Sequence, residues 1–252
     1  MKKISSLTFV ALALTACGGG SDKDNNSPAP NAVVQGSMLK YNNDSKLIGG
    51  NGISRSDANA VKSLVVDGKE YPLFVAGMKV ENNGATLSHE EVDKAAQKAI
   101  YRWLQPNMTH ASAGVLTLGT GLDRDGNSIN DTSYLFYQGT TPTNFPGRGT
   151  ARYEGTAAVS SDFNDSGARA TFDVDFGTKT LRGQLDNRVE ISDSQYLNGL
   201  NFTGTIQGTT FSGQNGSTQY TGGFYGPNAE ELAGILRDER RSLYGYYGAQ
   251  KK

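Results

Sequence analysis

The sequence predicts a mainly β chain, with an eight-stranded antiparallel β-barrel closing the carboxyl-terminal half and a smaller α+β handle domain before it. Three observations carry that expectation. The 252 residues include 32 glycines and 36% hydrophobics, a balance suited to many short strands joined by tight turns. From about residue 148 onward, apolar side chains recur at every second position, the period of a strand with one buried face. One segment, 88 to 104, shows instead the three-and-four spacing of a helix.

At the amino terminus, Lys2 and Lys3 form a basic region and Leu7 to Leu14 a short apolar run, which together predict a signal peptide over 1–16. The run is too short to span a bilayer as a stable helix. It ends in Leu14-Thr15-Ala16-Cys17, which resembles the lipobox of bacterial lipoproteins and implies lipidation of Cys17. Cys17 is the only cysteine, so no intramolecular disulfide can form. Residues 17–30, small, polar or proline after the cysteine, are expected to form a flexible tether. Cleavage would leave 22 basic against 25 acidic side chains, giving no electrostatic reason for a nucleic-acid partner.

The handle is expected over 31–132. Within it, 61–77 reads as a hairpin around Asp67-Gly68. In 88–104, Ser88 and Glu91 have the spacing of a capping box. Val92, Ala95, Ala96, Ala99, Ile100 and Trp103 would form its apolar stripe, and Pro106 would stop it. The run 121–133, "GLDRDGNSINDTS", looks like a calcium loop, but Ser128 replaces the sixth-position glycine and Tyr134 the bidentate glutamate. It is expected to be a polar connection between the two halves.

The barrel is expected over 133–252, where about eight turn-bounded runs fall between Tyr134 and Ala249. In one hairpin, a two-residue Gly177-Thr178 loop with glycine at positive φ would set Val174 opposite Leu181 and Phe172 opposite Gly183. The same register sets Asp173 opposite Arg182. Glycines on apolar faces, among them Gly183 and Gly234, would leave room for neighbouring aromatics. In "GGFYGPNAEELAGIL", 222–236, Tyr225-Gly226-Pro227 should end a strand and Leu232 resume the alternation, with a helical turn from Asn228 making the corner. Tyr244 and Tyr246 fall on the outer barrel face, either as anchors for a partner or as ordinary strand formers.

Those residues also carry a resemblance. The 222–236 hairpin, "PGRGTARYEGTA" at 146–157 and "YGYYGAQKK" at 244–252 resemble three barrel segments of transferrin-binding protein B and its relatives, in order and over roughly the last 120 residues. Factor H binding protein, the hemophilins and the nematode-colonisation lipoprotein NilC are similar in this region. The resemblance implies a non-enzymatic lipoprotein, anchored in the outer membrane and exposed on the cell surface after export by a Slam-type translocon. A cognate outer-membrane receptor is a further implied partner. It implies a host heme- or iron-carrier protein, or heme itself, as ligand for nutrient acquisition. The alternative is a colonisation lipoprotein that binds a host protein and no small ligand, as factor H binding protein or NilC does.

Enzyme signatures fail at specific positions. In His89-Glu90-Glu91-Val92-Asp93, Asp93 stands where a zinc protease needs a second histidine, and no Gly-x-Ser-x-Gly elbow is present. His89 reads as solvated at a helix start. His110 lies in a loop beside Met108, with Tyr101 and Trp103 shortly before it; imidazole against an aromatic wall is what an axial heme site requires. His110, Met108 and Tyr101 are therefore the candidate ligand-binding residues, with a solvated or structurally bonded histidine as the competing reading.

Overall fold

The computed structural model describes residues 33–42, 46–162, 164–192 and 195–252. The expected signal peptide, tether and lipidated Cys17 lie outside them.

Among the described residues, nine strands build the handle. In chain order they are β1 (Val34–Tyr41), β2 (Leu47–Arg55), β3 (Ser63–Val66), β4 (Lys69–Pro72), β5 (Lys79–Val80), β6 (Leu87–Asp93), β7 (Lys98–Leu104), β8 (Ala111–Leu122) and β9 (Ser128–Thr140). Seven form one antiparallel sheet in the order β2-β1-β9-β8-β7-β6-β5, and β3-β4 lies apart as the expected hairpin. Asp67 and Gly68 take φ of 50° and 78°, the left-handed pair that matches the twist of the flanking strands.

The helix expected over 88–104 does not exist. Those residues form the β6-β7 hairpin, paired from Ser88 with Trp103 to Asp93 with Lys98. The capping-box partners point elsewhere: the Ser88 hydroxyl donates to Glu81, and the Glu91 carboxylate accepts from Arg102 at 2.9 Å. Ala95 and Ala96 occupy the turn, where the Ala96 N–H donates to Asp93 Oδ1 at 2.9 Å and Gln97 takes a φ of 53°. Arg102 decides against the helical stripe. It is 2% exposed, donates to the Pro72 carbonyl at 2.8 Å, and shares its face with Ile100 and Leu104. Thus Ile100, Arg102 and Leu104 alternate with Tyr101 and Trp103, and pairing with β8 outweighs the local helical propensity of a Lys/Ala/Gln run. Among the described residues the handle is β with one short 3-10 helix, Ala58–Lys62, not α+β.

The barrel closes as expected from eight strands: β10 (Thr150–Ser160), β11 (Asp165–Asp175), β12 (Thr180–Ser192), β13 (Gln195–Gln207), β14 (Thr210–Asn215), β15 (Thr218–Tyr225), β16 (Glu231–Asp238) and β17 (Leu243–Lys251). β17 pairs back onto β10 and removes both edges. The boundary is later than expected, because β9 belongs to the handle sheet and the barrel starts only at Thr150. The run 121–133 consequently does not join the halves. It holds the end of β8, the β8-β9 turn at 123–127 and the start of β9, and in the turn Asp123 Oδ1 accepts from the N–H groups of Asp125 and Asn127.

The β11-β12 register is the expected one: Val174 opposite Leu181, Phe172 opposite Gly183, Asp173 opposite Arg182. Its turn is different. Phe176 to Lys179 form a four-residue loop in which Lys179, not Gly177, takes the positive φ of 56°. Asp175 Oδ1 holds the loop by accepting from the N–H groups of Gly177 and Thr178. The 222–236 stretch makes a barrel corner without a helix. β15 ends at Tyr225, Gly226 and Ala229 turn at φ of 84° and 58°, and β16 starts at Glu231.

Inside the barrel, Phe172 lies against Phe202 and Tyr247, and Phe224 against Tyr153, Phe176 and Phe211. The glycine expectation is met at two positions: a side chain at Gly183 would strike the Phe202 ring, and one at Gly234 the Tyr247 phenol.

Handle and barrel belong to one compact unit, Asn31–Lys252. Between them Ala111, Ala113, Leu135 and Tyr137 of the handle meet Tyr225, Ala233, Ile235 and Tyr246 of the barrel. Burial pushes the Tyr137 phenol up to about 12, and that of Tyr225 well above its ordinary value. The handle therefore covers Tyr246 and half-covers Tyr244. Tyr246 is 4% exposed and hydrogen-bonded to Thr86 at 3.0 Å, and Tyr244 makes an edge contact with Tyr41 at 4.8 Å. Tyr246→Phe removes one buried bond and leaves the Thr86 hydroxyl without that partner. Denaturant titration is expected to show a loss of about 1–2 kcal/mol.

Candidate functional site

Loop 105–110, which joins β7 to β8, lies on the barrel. Glu231, 3% exposed at the start of β16, accepts from the N–H groups of Thr109 at 2.7 Å, His110 at 2.8 Å and Ala111 at 2.9 Å. Gln250 adds a bond to the Asn107 carbonyl at 2.7 Å, and the His110 carbonyl accepts from Thr140 N–H at 2.8 Å. The His110 imidazole packs on Gly226: a Cβ placed there would lie 2.8 Å from its Cδ2. Burial acts to raise the neighbouring Glu230 carboxyl, but hydrogen bonds from Asn228 and the charge of His110 hold it below its usual value. Met108 sits over Gly248 of β17.

Tyr101 is elsewhere. It stacks on Trp103, centroids 5.8 Å apart with 16° between planes, and lines a cleft that neither His110 nor Met108 touches. The structure thus brings two of the three candidate residues to the handle–barrel seam and separates the third. For heme the arrangement does not fit, because the His110 ring is packed on the barrel backbone and its expected aromatic wall faces another space. His89 is a bonded histidine, its Nε2 at 3.0 Å from the Ala76 carbonyl.

The cleft itself was not foreseen in the sequence. It holds about 900 Å³ between the handle sheet and the barrel wall. One straight row across the sheet supplies its handle side: Glu90 beside Tyr101, Tyr101 beside Thr117, Thr117 beside Ser133, Ser133 beside Tyr41. The neighbouring row adds Trp103, Val115 and Leu135. Further toward loop 105–110 the same sheet face is covered by barrel, at Ala113 and Tyr137. Sheet and barrel wall therefore meet at one end and leave a gap at the other, closed opposite by Ser160, Asp165 and Tyr244. Asn83, in the β5-β6 turn, sits on Gly167 of β11 and bridges the gap at one side. Glu81, Glu90, Asp131 and Asp165 all line the space, and among the described residues no lysine, arginine or histidine does. One signal could have found its handle side: strand alternation at 100–104 puts Tyr101 and Trp103 on one face, opposite Ile100 and Leu104.

Residues 145–251 match the family model described as the C-lobe and N-lobe β-barrels of transferrin-binding protein B. Over these residues the chain is similar to the barrels of transferrin-binding protein B. Transferrin-binding protein B of Haemophilus influenzae is 29% identical over 208 residues, which cover 69% of this chain and 32% of that protein. An uncharacterized protein of the same organism is 26% identical over 293 residues, covering 100% of this chain and 99% of its own length. Among solved structures, intact Ap-TbpB with N and C lobes is similar with a TM-score of 0.58 and 23% identity, over 92% of this chain and 48% of that one. The chain thus spans about a third of the Haemophilus influenzae transferrin-binding protein B and about half of the solved two-lobed chain.

Proposed function

We propose that the protein is a non-enzymatic surface lipoprotein that captures a host iron-carrier protein through the open face of its handle. One observation carries this reading: the likeness to transferrin-binding protein B extends beyond the barrel, over 69% of the chain in sequence and 92% in fold, so handle and barrel together have the form of such a lobe. An acylated Cys17 would hold the lobe at the outer membrane, with a Slam-type translocon for export and a cognate receptor to accept the iron.

Heme as the direct ligand has less support, since the cleft is lined by carboxylates and heme propionates are anionic. Purified protein titrated with hemin is expected to give no Soret shift that His110→Ala abolishes. A His110-dependent shift would restore the heme reading. The function itself is tested by passing host serum over the immobilised protein. The expected result is retention of an iron-carrying serum protein; retention of a single protein carrying neither iron nor heme would favour the colonisation reading, and retention of nothing would contradict both.

A further inference from the structure

We infer that the handle–barrel cleft is a receptor for cationic side chains, and that its occupant is an arginine- or lysine-bearing segment of the captured host protein. This deepens the proposed function and rests on it. Four carboxylates line the space and, among the described residues, no cation lines it, so a basic side chain would meet carboxylates from both walls. Glu90 stands on the handle side and Asp165 on the barrel side.

Charge alone would not make a site, and two further features select the ligand. Tyr101 and Trp103 stack with nearly parallel planes, and Trp103 is left 37% exposed, unusual for a side chain of this size. A guanidinium placed over an indole face within about 6 Å of the ring centre is attracted by its quadrupole. Tyr41, 5% exposed at the inner wall, carries a buried hydroxyl with no hydrogen-bond partner among the described residues. A buried phenol normally finds one, and a donor N–H from a ligand would supply it. The volume of about 900 Å³ admits several side chains of an extended segment, within the range of ligand-sized cavities.

Trp103 is the only tryptophan in the chain, so its emission reports on the cleft directly. The test titrates the full-length protein with an acetylated tetra-arginine amide and, in parallel, with tetra-glutamate. The expected result is a saturable change in Trp103 emission with the arginine peptide alone. The double variant Glu90→Gln/Asp165→Asn should weaken it about tenfold, the scale of two partly exposed charge pairs. Asp173→Asn/Asp186→Asn removes the same charge from the outer barrel wall and should leave it unchanged. No emission change, an equal response to tetra-glutamate, or equal weakening by both double variants would overturn the assignment. Serum capture by the unaltered protein separates the two claims. Capture without an arginine response removes the cleft and keeps the proposed function, whereas an arginine response without capture keeps a cation-binding cleft and removes both that function and the assigned occupant.

Discussion

Glu231→Ala is expected to destabilise the seam between handle and barrel by about 3–5 kcal/mol. The carboxylate is buried and takes three backbone N–H donors from one loop, Thr109, His110 and Ala111. Alanine leaves all three facing a space once filled by acceptor oxygens, at about 1–3 kcal/mol for each buried donor left unmet, less whatever entering water recovers. Glu231→Gln keeps one acceptor but turns an amide N–H toward donors, so it should recover only part of the loss. Because Trp103 reports on the handle and far-ultraviolet dichroism on both sheets, urea unfolding of the alanine variant should show Trp103 emission changing first. Coincident transitions with an unchanged midpoint would show that the clamp contributes nothing.

Phe172→Ala should cost the barrel about 3–5 kcal/mol, the range for truncating a fully buried aromatic ring. Phe172 is 0% exposed and touches Phe202 and Tyr247, with ring centroids at 6.1 and 5.3 Å. A closed barrel has no second layer that can slide in to fill the space, so the cavity should persist. Phe172→Leu, which keeps most of the volume, should cost about 1.5 kcal/mol or less. Calorimetry is the measurement, and a fall in Tm of about 10 °C for the alanine variant is the expected reading for a chain of this size.

The barrel was legible in the sequence because each of its strands faces side chains on one side and solvent or the handle on the other. Phe172, Val174 and Leu181 announce their faces locally, and the register followed even though Lys179 rather than Gly177 bends the turn. The 88–104 hairpin was illegible for the opposite reason. Val92, Ala95, Ala96 and Ala99 satisfy a helical spacing, and Arg102 looks like a polar-face residue until its guanidinium is seen bonded to Pro72 and Glu91. A buried guanidinium bonded to partners distant in sequence outweighed a local preference.

The outer tyrosines misled in a related way. Tyr244 and Tyr246 were correctly placed outside the barrel, but the chain's own handle covers that wall. Local pattern carried only the handle side of the cleft, Tyr101 and Trp103 on one strand face. Glu90 and Asp165 meet across it only because the handle sheet lies against the barrel at one end and parts from it at the other. His110 shows the converse: proximity in sequence to Tyr101 placed it in an imagined site, while Glu231 holds its backbone on the barrel.

The most direct measurement is hydrogen exchange of the full-length protein, alone and in complex with the serum protein it retains. Protection concentrated in 87–104 and 128–135, the handle face along the cleft, is the result this account predicts. Protection confined to barrel strands outside the cleft, with 87–104 exchanging as in the free protein, would contradict it.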